Sequence, residues 1–257
     1  MSRVSRATAV VIAGLAVSAA VALAVLVPAQ GKPVRTAAGP PLAPLAPPVA
    51  TTAAPAVPAP TLIATLTRPA DYRSAPGGPV AGHLPANNPF GTPEVLAVIG
   101  RAGADWSWLR VELPVRPNGS TGWIQASDAT LTQTSYRVEV DVAARRLTVT
   151  KAGRVVLTTP VAVGRPTTPT PPDQTYLWEL IQPDHPDGPY GPYIFGLAEF
   201  SDSYSVFNGG DAQIGIHGQD EPWSIGSAAS HGCVRTPNDV ITRLAGLLPL
   251  GTPVSIS

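Results

Sequence analysis

With 257 residues, 17 Lys+Arg against 17 Asp+Glu and a pI of about 6.9, the chain carries no formal net charge and has length for two small domains. That balance excludes a basic stripe, so no nucleic-acid partner is expected and no strong field steers a ligand. The single cysteine excludes an internal disulfide, and 31 Pro with 24 Gly mark stretches that build no core.

The first element is an apolar run from Ala7 to Val27, about 21 positions, enough for a helix to cross a bilayer. Arg3 and Arg6 before it put the N-terminus on the cytoplasmic side. A cleaved signal has the same polarity, and Val27-Pro28-Ala29 offers small residues for a cut. Residues 1–27 therefore read as a signal peptide or a single membrane anchor, and the rest as exported. Pro28 to Pro60 is almost entirely Pro, Ala, Val, Thr and Gly, too poor in large apolar side chains to pack. Residues 28–61 are thus expected to be an extended linker, reaching on the order of 100 Å at about 3.1 Å per residue.

Residues 62–132 form the first expected domain. Apolar stretches at Leu62 to Leu66, Glu94 to Ile99, Trp108 to Leu113 and Gly122 to Ile124 alternate with Pro, Gly and Asn turns. That pattern predicts a small all-β barrel, with Leu109, Val111 and Leu113 on one face and a turn at Pro117-Asn118-Gly119. Trp108-Leu109-Arg110-Val111-Glu112 followed by Gly122-Trp123-Ile124 is similar to bacterial SH3-like modules. Trp106, Trp108 and Trp123 either bind a ligand or fill the barrel, and core packing is expected of at least one.

Residues 136–257 open as a β-meander: Tyr136 to Val142, Arg146 to Thr150, then Val155 to Val163. Val138, Val140 and Val142 should face inward and meet Leu147 and Val149 across the sheet. Further strands are predicted at Tyr176 to Ile181, Tyr193 to Ala198, Gln213 to Ile216 and Val254 to Ile256. Between Gln182 and Pro192, Pro, Asp and Gly predict a surface loop placed to cap a cleft. Near the C-terminus, Thr236 as cap, Pro237 at the first position and Asp239 at the third predict a short helix. Val240, Ile241, Leu244, Leu247 and Leu248 repeat along one face of it.

Between the last long strands lies the one window with concentrated chemistry. The only cysteine sits in Ser230-His231-Gly232-Cys233-Val234-Arg235, and His217-Gly218 ends the apolar run Ile214 to Ile216 upstream. A working thiol needs a base and an exposing backbone; His217 supplies the first and Gly232 the second. Successive N–H groups of His231, Gly232 and Cys233 could form a nest for an oxyanion. Arg235 lies near enough to lower the thiol pKa and to grip a carboxylate. Two His and a Cys could instead ligate zinc, but a fourth ligand and a spaced Cys pair are lacking. Asp220 and Glu221 could orient His217, although acidic turn residues are more often simply hydrated, and they stay outside the catalytic set.

His217-Gly218 with Ser230-His231-Gly232-Cys233-Val234-Arg235 resembles the signature of YkuD-type L,D-transpeptidases, and the chain from about Tyr136 onward reads like that catalytic domain. Val163-Gly164 before Pro166-Thr167-Thr168-Pro169-Thr170-Pro171 resembles the same family. The resemblance implies a mainly β fold, an SH3-like barrel followed by a β-rich catalytic domain with a short C-terminal helix. It implies an acyltransferase of peptidoglycan biosynthesis, in the bacterial cell envelope, acting on stem peptides as a monomer without cofactor or metal. Cys233 would attack the carbonyl of the third stem residue and expel the terminal D-alanine, with His217 moving the proton. His231 and Gly232 would shape the oxyanion site, and Arg235, Ser230 and Gly218 would bind substrate. Gly218 stands where some relatives carry Ser, so its side chain cannot orient His217. A non-catalytic wall-binding protein and a zinc-dependent wall peptidase are the alternative readings.

Overall fold

A computed structural model describes residues 57–257. The apolar run at 7–27 and nearly all of the Pro/Ala-rich stretch lie outside the described residues. Among the described residues no helix is long and apolar enough to cross a membrane.

Seven short strands follow in close succession: β1 (Thr61–Leu66), β2 (Ala70–Arg73), β3 (Val80–Leu84), β4 (Val95–Ala102), β5 (Trp108–Glu112), β6 (Thr121–Gln125) and β7 (Ala129–Thr134). They form one sheet in the order β3-β2-β6-β5-β4-β1-β7, whose end strands are not bonded to each other, so the barrel predicted from the sequence is unclosed at that seam. Alternation drives Leu109, Val111 and Ile124 inward, where they pack with Ala64, Leu66 and Leu96. The tryptophans do not share that core. Trp106 is 57% exposed under the Arg101 guanidinium, while Trp108 and Trp123 are half-buried. Trp123 stands opposite Arg110 on the outer face, out of phase with Leu109 and Val111.

The second part holds β8 (Tyr136–Asp141), β9 (Arg146–Lys151), β10 (Arg154–Pro160), β11 (Val163–Gly164), β12 (Gln174–Ile181), β13 (Ile194–Phe200), β14 (Gln213–His217), β15 (Ala228–Ser230), β16 (Val234–Arg235), α1 (Asn238–Leu247) and β17 (Pro253–Ile256). Eight of these strands join in the order β10-β9-β8-β17-β12-β13-β14-β16, and β11 pairs with β15. Val138 faces Val149 and Val140 faces Leu147, all buried; Val142, just past β8, is only half-buried. Ile241, Leu244 and Leu248 seat α1 against this core. The helix starts one residue later than its sequence signals suggest: Pro237 is the cap residue, and the Thr236 hydroxyl and N–H both donate to the His217 carbonyl instead.

The two parts meet through polar side chains. Arg116 donates to the carbonyls of Ser201 (3.0 Å), Tyr204 (2.9 Å) and Asp211 (3.0 Å), fixing the 201–212 loop. Asn118, in the predicted turn, holds the backbone N–H and C=O of Phe200. The Trp178 indole donates to Glu94 at 2.6 Å.

Four glutamates are buried along this junction: Glu94, Glu112, Glu179 and Glu199. Burial is the leading cause that raises the first three to about 7 and Glu199 to about 9, from an ordinary 4.5. The fold thus keeps protons that the unfolded chain releases, and the stabilisation is whole below pH 4.5 and lost as pH climbs through 7 and 9. His217, pushed by burial from 6.5 to about 4, works oppositely below pH 6.5, one group against four. Calorimetry should therefore give a lower melting temperature at pH 8 than at pH 5, with a smaller gap in Glu112→Gln. An equal or higher value at pH 8 contradicts this account.

Candidate active site

The cysteine loop is bolted down before it bends. Gly164 N–H donates to the buried Thr170 hydroxyl at 2.9 Å, and Arg165 binds the Ser230 carbonyl through its N–H and that of Ala229 through Nε. The Pro/Thr run therefore clamps β15, the strand leading into Cys233. Gly232 then turns with φ of 127°, a conformation side chains oppose. Ser230 closes the bend: its Oγ accepts from Gly232 N–H at 3.1 Å and donates to the Cys233 carbonyl at 2.5 Å.

This geometry corrects two expectations. Ser230 is buried with its hydroxyl spent inside the loop, so it shapes the loop rather than touching substrate. The Gly232 N–H is likewise engaged, which removes one donor from the expected nest; the N–H groups of His231 and Cys233 make no such bond. The His231 ring lies against Phe207, with centroids 5.4 Å apart.

Strand pairing brings base and sulfur to one place. β14 runs parallel to β16, with Ile216 opposite Val234 and His217 opposite Arg235, so Cys233 enters beside Gly215. Its Sγ lies 4.0 Å from the Gln213 carbonyl. Both His217 and Cys233 line one cavity of about 740 Å³, walled also by Phe90, Trp178, Tyr190 and Phe207. The first part of the fold thus contributes to the wall.

His217 is buried, and its Nδ1 lies 2.5 Å from the carbonyl oxygen of Gly218. A carbonyl only accepts, so Nδ1 carries the proton and Nε2 keeps its lone pair. The residue unable to orient His217 by a side chain therefore does so through its backbone. Gly218 itself is packed shut: a Cβ there would collide with Asn238 Oδ1, Gly191 and Pro192, so it serves packing and orientation, not substrate contact. Tyr190, from the predicted capping loop, sets its ring edge-on to His217 at 5.1 Å and accepts from Asn208 at 2.9 Å. Sequence reasoning had no signal for that tyrosine beyond its place in a loop.

Arg235 donates to Glu221 at 2.8 Å and is mostly buried. Glu221, an acidic turn residue expected to be hydrated, is instead the counter-ion of the arginine, so the guanidinium is not a free fork. Burial raises the Cys233 thiol above its ordinary value, outweighing the Gly215 N–H and Arg235, which lower it. Burial likewise holds His217 near 4. The resting site is a neutral thiol beside a neutral imidazole rather than an ion pair. Among the described residues no three His, Cys, Asp or Glu side chains are grouped as metal ligands.

Residues 135–256 match the YkuD family, the L,D-transpeptidase catalytic domain. The YkuD proteins of Bacillus subtilis (strain 168) and Bacillus licheniformis, both provisionally named L,D-transpeptidases, are each 35% identical over 122 residues, 48% of this chain. The chain covers 66% of their length, just under two thirds. A crystal structure of a Cys-to-Ser variant of Enterococcus faecium L,D-transpeptidase is 29% identical, over 48% of this chain and 50% of that one, with TM-score 0.34.

Proposed function

We propose that this chain, whose residues 135–256 form a YkuD-type L,D-transpeptidase catalytic domain, is a cell-wall acyltransferase that cross-links peptidoglycan stem peptides through Cys233. One observation carries the reading: a half-buried cysteine and a histidine of fixed tautomer line the same cavity. In the first step the Cys233 sulfur attacks the carbonyl of the third stem residue while its proton passes to His217 Nε2. The C–N bond to the terminal D-alanine breaks, and the same proton leaves with the alanine amine. In the second step a neutral amine of a neighbouring stem attacks the thioester, His217 takes the amine's proton, and the sulfur regains it on departure. The His231 and Cys233 N–H groups are the donors assigned to the oxyanion. Arg3, Arg6 and the run from Ala7 to Val27 support export to the cell envelope, and residues 28–61 would supply reach into the wall.

Incubating the protein with a tetrapeptide stem and an amine-bearing acceptor stem tests this directly. The expected products are free D-alanine and a dimer linked through the donor's third residue, formed equally well in the presence of a chelator. Stem binding without either product points to a wall-binding protein, and loss of product on chelation to a metal-dependent peptidase; each overturns the proposal.

A further inference from the structure

The 201–212 loop is a small hairpin with left-handed backbone at its tip and at its closing end. Phe207 and Gly210 exchange backbone hydrogen bonds of 2.9 and 3.0 Å around Asn208-Gly209, whose φ values of 50° and 84° make the mirror-image turn that Asn-Gly favours. Ala212 closes the returning arm at φ of 53°, a conformation that a β-carbon opposes. One side chain from the first part of the fold joins the two arms. Arg116 Nη1 donates to the Ser201 carbonyl, and Nη2 donates to those of Tyr204 on the outgoing arm and Asp211 on the returning one. Its guanidinium carbon lies 5.1 Å over the Phe200 ring, and among the described residues it makes no ion pair. The fork is therefore spent on holding a backbone shape rather than on neutralising a charge.

That shape bears on the cysteine window. Phe207 and Tyr204 set their rings against His231, with centroids 5.4 and 6.4 Å apart, and Arg165 Nη1 meets His231 Nε2 at 3.4 Å. His231 is thus held through its ring, and its N–H is one of the two donors assigned to the oxyanion. Gln213, the residue after the loop, is secured without Arg116: it pairs with Phe200 across the sheet, and its Nε2 donates to the Leu197 carbonyl at 2.8 Å. The hold of the guanidinium therefore falls on the aromatic residues that back His231.

We propose that Arg116 is a positioning residue of acyl transfer: from outside residues 135–256 it holds the 201–212 hairpin so that Phe207 fixes His231, and with it an oxyanion donor. The assignment rests on the acyl-transfer reading above and makes the first part of the fold a working part of the site. An N–H aimed at developing negative charge acts in the transition state and not on the bound ground state, so a displaced hairpin slows acylation without weakening stem binding. Lysine does not replace the fork, because one ammonium on a flexible stem cannot span three carbonyls shared between two guanidinium nitrogens.

The test follows acyl adduct formation on the full chain by intact mass over a range of tetrapeptide stem concentrations. Iodoacetamide alkylation of Cys233, which needs no oxyanion donor, is the control. Arg116→Ala and Arg116→Lys should each lower the saturating acylation rate by about tenfold or more, with the half-saturating concentration and the alkylation rate both within about twofold of the parent. A double-mutant cycle with Phe207→Ala separates positioning from general support of the fold. In the Phe207→Ala background the further loss on Arg116→Ala should shrink to about twofold or less, as for residues that act through one another. Should Arg116→Ala lose its cooperative melting transition, Arg116→Lys decides by the same criteria. Parent-like acylation in the variants, a loss of affinity in place of rate, or an equal cost in both backgrounds overturns the assignment and leaves acyl transfer intact. A native protein that is alkylated at Cys233 but never acylated overturns the acyl-transfer reading and the assignment with it.

Discussion

Cys233→Ala protein is expected to release no D-alanine from a tetrapeptide stem, a loss on the order of 10⁴-fold or more, and to form no covalent adduct. The sulfur has no substitute in the cavity: Cys233 is the chain's only cysteine, and the buried hydroxyl of Ser230 is committed to the loop backbone. Cys233→Ser probes the same point more finely. A hydroxyl at this position meets a histidine too weakly basic, near 4, to carry much of its proton, so this variant should also be silent. Both variants should unfold as the parent does, because the side chain is half-buried at the cavity wall and outside the hydrophobic core. Turnover by Cys233→Ala at a tenth of the parent rate would place the nucleophile elsewhere, and the same turnover by Cys233→Ser would contradict the weak basicity of His217.

The second large effect falls on His217. Its replacement by Ala should cost about 10²–10⁴ in acylation rate, the usual contribution of a positioned proton carrier. The way it acts is also specified. Burial pushes the thiol up and the imidazole down to about 4, so neither is charged at neutral pH. Proton transfer must then accompany attack rather than precede it. Two observations follow for the free protein. The ultraviolet absorbance of a thiolate should be absent at pH 7, and alkylation by iodoacetamide should rise steadily through pH 9 without an earlier plateau. A plateau beginning near pH 4 would reveal a standing thiolate–imidazolium pair and contradict the burial argument.

What could be read from the residues alone was whatever local pattern encodes. Val138, Val140, Leu147 and Val149 announced a paired hairpin by simple alternation, and they are paired and buried as that pattern requires. The window from His217 to Arg235 was legible because residue chemistry and spacing coincide there. Three features were not legible, each for a physical reason. Glu221 meets Arg235 only because the chain after β14 folds back on β16, a long-range event without local signature. Arg116 and Asn118 grip the loop and strand of a different sheet some 80 to 95 residues away, which no periodicity foretells. The Ser230 and Gly232 side of the loop was misassigned because a hydroxyl and an N–H in a Gly-rich turn satisfy one another before any ligand arrives.

Glycine carried more meaning than its flexibility. Gly218 was recognisable as a departure from relatives with Ser, yet its packing against Gly191 and Asn238, and its carbonyl on His217, emerge only in three dimensions. Gly196 gave no sequence signal at all; its role is to leave room for the carboxylate opposite.

The central claim is that the Cys233 sulfur becomes acylated by the third residue of a stem peptide. Mass spectrometry of the intact protein after brief exposure to a tetrapeptide stem, followed by fragmentation, measures it directly. The account predicts a gain equal to the stem less its terminal alanine, carried on the fragment containing Cys233 and absent from Cys233→Ala. A protein of unchanged mass while D-alanine is released, or an adduct on any other residue, would contradict it.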